Sequence, residues 1–141
     1  MYGKMELGLN EAQVSINTIL TKAMENEERP IAISVADRNG KMIAYVRMDR
    51  CAPLPQKIAI AKAYTSAIMG DDTGAIAQRM KESNRKNSDL GDPGLMFLQG
   101  GVVIKHSDGT VLGGIGVSGL AADEDEELAR IGLNSIQHLL N

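Results

Sequence analysis

The chain of 141 residues has no tryptophan, one phenylalanine, three tyrosines and a single cysteine, Cys51. So few aromatics leave little surface for stacking on nucleic-acid bases. The formal net charge of −3 offers no basic excess to neutralise a phosphate backbone, so nucleic acid is not an expected partner. A lone cysteine excludes an internal disulfide and any multi-cysteine zinc site, and it suits a reducing compartment. No run approaches the ~18 apolar residues that a membrane span needs. The first residues, MYGKMELGLNEAQ, lack an apolar core followed by a small-residue cleavage site. The expectation is a cytoplasmic protein with no membrane partner.

What is present is the composition of a folded domain: 43% hydrophobic and 23% charged residues, with 15 glycines and 8 methionines. The length fits one domain over 1–141, with 1–6 expected as a flexible extension. Its core must come from aliphatics, alanine and methionine.

Asn10, followed by Gln13 three residues on, has the form of a helix cap, and Leu9 is placed to staple against Val14. Val14, Ile16, Ile19, Leu20, Ala23 and Met24 then continue at helical spacing until the polar run before Pro30. Two alternating runs, at about 30–37 and 41–47, flank Asn39-Gly40, where both turn residues tolerate positive φ. Val102–His106 and Thr110–Ser118 repeat the pattern around Ser107-Asp108-Gly109. Between these hairpins, Leu54–Met69 reads as an Ala-rich helix opened by Pro53 and Pro55, and a shorter helix runs from Asp72 or Thr73 to Glu82. The polar run Ser83–Asp89 reads as a loop, and Leu95–Leu98 as a short strand. Asp123–Leu140 reads as a last helix, its five leading acids matching the positive end of a helix dipole better than a metal site. The pattern predicts an α+β fold: five strands in a mostly antiparallel sheet flanked by helices.

Few residues carry obvious chemistry. His106 and His138 stand far apart and form no metal-binding spacing, so no metal centre is expected. Cys51 has no histidine or asparagine partner in sequence and reads as a buried thiol. Arg47, Asp49 and Arg50 with Lys57 and Lys62 form the densest charged cluster beside a strand end. Arg47, Arg50 and the helix start near Leu54 offer a seat for a carboxylate. Gly113-Gly114-Ile115-Gly116-Val117-Ser118-Gly119 places glycines along a strand that something must approach closely. Either the helix bearing Ala59, Ala61, Ala63 and Ala67 packs there, the favoured reading, or a flat ligand lies over the strand.

The ordered set Val35–Gly40, Arg47-Met48-Asp49, Ala52-Pro53-Leu54, Ala59–Ala63, Gly100-Gly101 and Gly113–Gly119 resembles the GlcG/HbpS-like family, also called haem-degrading or haem-binding HbpS-like proteins. Relatives of that family include the C-terminal domain of PduO-type cobalamin adenosyltransferases. The resemblance spans about residues 7–139 and implies an α/β sandwich assembled into dimers or larger homo-oligomers. It also implies a small-molecule ligand, with haem or a related tetrapyrrole first among candidates. The first helix has no histidine, so a haem-ligating histidine there does not carry over; Tyr64, Thr65, a methionine, a lysine or His106 remain as axial donors. The expected ligand-binding residues are Arg47, Arg50, Lys62, Tyr64, Thr65, Gly101 and Ser118. The alternative is a catabolic enzyme acting on a small organic acid or dicarbonyl compound, with Asp49, Lys62 or Tyr64 moving protons. A module that serves self-assembly alone is the third reading.

Overall fold

A computed structural model describes residues 1–141. Helix α1 (Leu9–Ala23) opens on Gly8, whose N–H donates to Glu11 Oε2 at 3.1 Å. The reaching-back residue is therefore Glu11, not Gln13, and the cap is Gly8, not Asn10. Leu9 falls inside the helix and is 55% exposed, so it does not staple the entry.

Strands β1 (Ala32–Asp37) and β2 (Met42–Arg47) form the first hairpin, and β3 (Gly101–Lys105) and β4 (Val111–Ser118) the second. The same turn closes both. Asp37 N–H donates to Lys41 O at 2.8 Å and Gly40 N–H to Asp37 O at 3.0 Å; His106, Thr110 and Gly109 repeat the arrangement at 2.9 Å for both bonds. Only the glycine takes a positive φ, +79° at Gly40 and +91° at Gly109. Asn39 contributes no left-handed residue; instead Asp37 Oδ1 accepts its N–H at 2.8 Å.

The sheet has the order β2-β1-β4-β3, antiparallel throughout, with Ala32 opposite Ser118 where the hairpins join. It holds four strands, not the five expected. Residues 95–98 form no strand because their backbone is already engaged: Met96 N–H donates to Thr65 Oγ1 at 2.9 Å, and Leu95 O accepts from Asn87 Nδ2 at 3.0 Å. Helix α3 (Thr73–Glu82) blocks that side further. Its cap residue Asp72 accepts Val103 N–H at 3.0 Å and Thr73 Oγ1 accepts Gly101 N–H at 2.8 Å, so the outer donors of β3 are satisfied by side chains.

Helices cover both faces of the sheet. On one, α1 and α4 (Ala122–Ile136) enclose the main core with Ile33, Val35, Ile104, Ile115 and Val117, all fully buried. On the other lies α2 (Pro53–Met69), ended by Gly70 at φ +69°. The last helix stops at Ile136 and tightens into a 3₁₀ turn over Gln137–Leu139, four residues short of Leu140 as a regular helix end. No helix is long and apolar enough to cross a membrane.

Candidate functional site

The glycine strand is answered by protein. A Cβ on Gly116 would stand 2.6 Å from Ala63 N, and one on Gly114 2.5 Å from Ala63 O, so the backbone of α2 occupies the space a flat ligand would need. Lys62, Thr65, Gly101 and Ser118 do come together in this seam, and all are buried. Each is spent on the fold. Lys62 Nζ donates to Val117 O at 2.9 Å and to Asp125 Oδ2 at 3.1 Å, while Asp125 Oδ1 accepts Leu120 N–H at 3.0 Å. Burial pushes the Lys62 ammonium below its usual range and the Asp125 carboxyl above its own, each opposed by the charge of the other. Thr65 Oγ1 holds the 95–98 segment, as described.

Tyr64 faces elsewhere. Its ring lies between the backbones of Gly40 and Gly94, and its hydroxyl donates to Asp92 Oδ2 at 2.6 Å. That bond keeps the phenol proton on, raising Tyr64 and lowering Asp92 from their ordinary values. Cys51 is buried with Ala32 and Ala59 beside Tyr45, and burial raises its thiol, which disfavours the reactive thiolate.

The charged cluster at the end of β2 is open. Met48 is anchored to the core, its N–H donating to Ile31 O at 2.9 Å and its Sδ accepting Ile31 N–H at 3.4 Å. From that anchor the chain turns, with Cys51 N–H on Met48 O at 3.2 Å, and presents Asp49 and Arg50 outward. Arg50 adopts φ +68°, a left-handed conformation that costs a non-glycine residue on the order of 1 kcal/mol. It has no ion-pair or hydrogen-bond partner, whereas Arg47 Nη1 donates to Gln56 Oε1 of α2 at 2.8 Å. Arg47, Asp49 and Arg50 line a groove of about 590 Å³ with Leu20, Met24 and Glu27 of α1 and its following turn, and with Val46 and Met48. The groove is apolar along Leu20, Met24 and Val46, and charged at the rim. This arrangement suits a ligand with a broad apolar body and carboxylate ends.

Of the residues expected at the site, the structure therefore gathers Arg47, Asp49 and Arg50 in one groove, seals Lys62, Thr65, Gly101 and Ser118 in another place, and sets Tyr64 apart from both. Sequence reasoning missed Leu20, Met24 and Glu27, which reach the groove from a different element. It also missed Asp125, although a signal existed. Asp125 falls on the buried stripe of α4 with Leu128, Ala129 and Gly132, as Lys62 does on α2 with Ala59, Ala63 and Ser66. Opposite charges on two buried stripes imply that they meet.

A family model described as haem degrading protein HbpS-like matches residues 7–134. Protein GlcG of Escherichia coli K12 is 31% identical over 110 residues, covering 76% of this chain and 80% of GlcG. The crystal structure of a double mutant of Streptomyces reticuli HbpS superposes with a TM-score of 0.84 at 28% identity, covering 95% of this chain and 89% of that one. The haem complex of PduOC shares the fold, with a TM-score of 0.82 at 19% identity over 94% of this chain and 96% of that one. A match across nearly the whole domain, from the buried Leu7 to the last helix, decides the assignment: the chain belongs to the haem degrading protein HbpS-like family.

Proposed function

We propose that this protein binds haem or a related tetrapyrrole in the groove between α1 and β2. The observation that carries the reading is the unpaired Arg50 guanidinium, held at the rim of a groove whose floor is Leu20, Met24 and Val46. A volume of about 590 Å³ lies within the range of small-molecule sites. Arg50, assisted by Arg47, would hold the carboxylates by charge-assisted hydrogen bonds, and the apolar floor would take the macrocycle out of water. When bound, haem would supply a redox-active iron. Membership of a haem-degrading family, and the fold shared with a haem complex, support the choice of ligand.

Titration of the purified chain with haemin is expected to give a saturable Soret shift, weakened about tenfold in Arg50→Ala, the loss of one charge-assisted contact. Lys62→Met is expected to leave haemin affinity unchanged where the variant folds. A titration with no saturation overturns the reading, and weakening by Tyr64→Phe in place of Arg50→Ala moves the ligand to the Tyr64 side. The acid–base enzyme reading is less well supported, because the Lys62 ammonium is sealed and already paired.

We also propose self-association, in a cytoplasmic protein, through the outer face of α2. Leu54, Ile60 and Ile68 are 65%, 38% and 43% exposed on an outer face of α2 whose one exposed charge is Lys57, more apolar than a face turned to water needs to be. Sedimentation should find a dimer or larger species, and Ile60→Glu with Ile68→Glu should dissociate it; a monomer at all concentrations refutes the proposal.

A further inference from the structure

The groove contains no histidine: His106, in the turn after β3, shares a different cavity with Leu7 and with Glu11 at the other end of α1, and His138 lies in the 3₁₀ turn after α4. Building on the haem reading, the question is which other atom could bond to iron. Four side chains that line the groove carry a suitable donor: the thioethers of Met24 and Met48 and the carboxylates of Glu27 and Asp49.

Met48 is committed elsewhere. It is 5% exposed and its Sδ accepts the N–H of Ile31, a residue with no exposure at all. Turning that sulfur toward a ligand would leave a buried donor without a partner. Glu27 and Asp49 are hard oxygen donors, matched to ferric and not to ferrous iron, and both share the groove with the cationic Arg47 and Arg50. Met24 has neither drawback. It is 44% exposed, no hydrogen bond holds its thioether, and three rotatable bonds let it adapt. It stands four residues beyond Leu20, as the C-cap of α1 and the first residue of the 3₁₀ turn Met24–Asn26, and lines the same groove, so its sulfur extends the apolar floor instead of interrupting it. Its backbone is fixed as well, with its N–H capping α1 on Leu20 O and Lys22 O.

We infer that Met24 is the axial ligand through which this chain holds haem iron. A neutral, soft thioether favours the ferrous over the ferric state, so the bound iron is held toward its reduced form. The residue replaces, by chemistry and not by position, the histidine that the first helix lacks.

The test compares the full-length wild type with Met24→Leu, which removes the sulfur and keeps the apolar bulk, and with Met24→His. Haemin is titrated into each and absorption spectra are taken in the ferric and dithionite-reduced forms. The inference expects a thioether-to-iron charge-transfer band in ferric wild type, absent from Met24→Leu, with haem affinity lowered roughly tenfold. It expects a nitrogen-ligated spectrum in Met24→His and a lower reduction potential in both variants. Saturable binding with the same spectra in wild type and Met24→Leu overturns the ligand assignment while the groove stays the haem site. No saturable binding in wild type overturns the haem reading itself, and this inference with it.

Discussion

The two faces of the sheet are built on opposite principles. On the α1 and α4 side, branched aliphatics interdigitate, and contact is made by the ends of side chains. On the α2 side, Ala32, Ser34, Gly114, Gly116 and Ser118 meet Ala59, Ala63 and Ser66, so main chain rests almost directly on main chain. The first arrangement can give locally, because a side chain can change rotamer. The second cannot, because moving a backbone atom of α2 moves the helix. A pair of glycines exposes the difference: an added Cβ on Gly132 of α4 would stand 2.5 Å from Ile19 Cδ1, the free end of a side chain, whereas on Gly116 it would meet the carbonyl of Ala59 and the nitrogen of Ala63.

The comparison is sharpest at these two positions, and the largest effect is expected at the stiffer one. Gly116→Ala should fail to accumulate as a folded protein, judged by circular dichroism and urea unfolding. A near-native midpoint for that variant would mean that α2 can lift off the sheet, and the contrast between the faces would collapse.

Next in size is Asp125→Asn, which leaves the buried Lys62 ammonium without its carboxylate; breaking such a pair costs about 3–5 kcal/mol. The loss has a pH signature. Desolvation already holds folded Lys62 below its unfolded value, and without Asp125 that gap widens. In this window the unfolded chain binds more protons than the folded one, so stability of Asp125→Asn should climb as pH rises from neutral toward the ordinary lysine range. Urea midpoints that are flat with pH would show that Lys62 finds water in the variant, and the seam would not be dry.

The smallest effect belongs to Gly132→Ala. Crowding at Ile19 costs about 1–3 kcal/mol, and the gain in helix propensity returns about 1 kcal/mol. A net loss within about 2 kcal/mol at an unchanged m-value is expected. Complete unfolding of this variant would make the two faces equally rigid.

How far the sequence led depended on whether the deciding contact was local. The hairpins were legible because Gly40 and Gly109 punctuate alternating runs, and the limits of α2 and α3 followed from Pro53, Gly70 and the polar run after Glu82. Leu95–Leu98 was not, since its fate is set by Asn87 and Thr65, and Thr65 belongs to another layer. The packing of α2 on the glycine strand could be anticipated from alanine facing glycine, and the structure bears out that preference over a ligand lying there. The groove was half legible. Asp49 and Arg50 announce themselves beside Arg47 as a cluster, but Leu20 and Met24 read as ordinary members of a helical stripe, and only the crossing of α1 over β2 gives them a surface of their own.

The strand order has a consequence for synthesis on the ribosome. Each hairpin is local, yet the two join only where Ala32 pairs with Ser118, near the end of the chain. Until β4 has emerged, β1 and β2 are a two-stranded ribbon with only α1 available to cover Ile33 and Val35, and a two-stranded ribbon is marginal in water. The nascent chain thus carries its first hairpin incompletely covered until late in translation, and the core closes only when the second hairpin slots in beside the first and α4 follows to cover it.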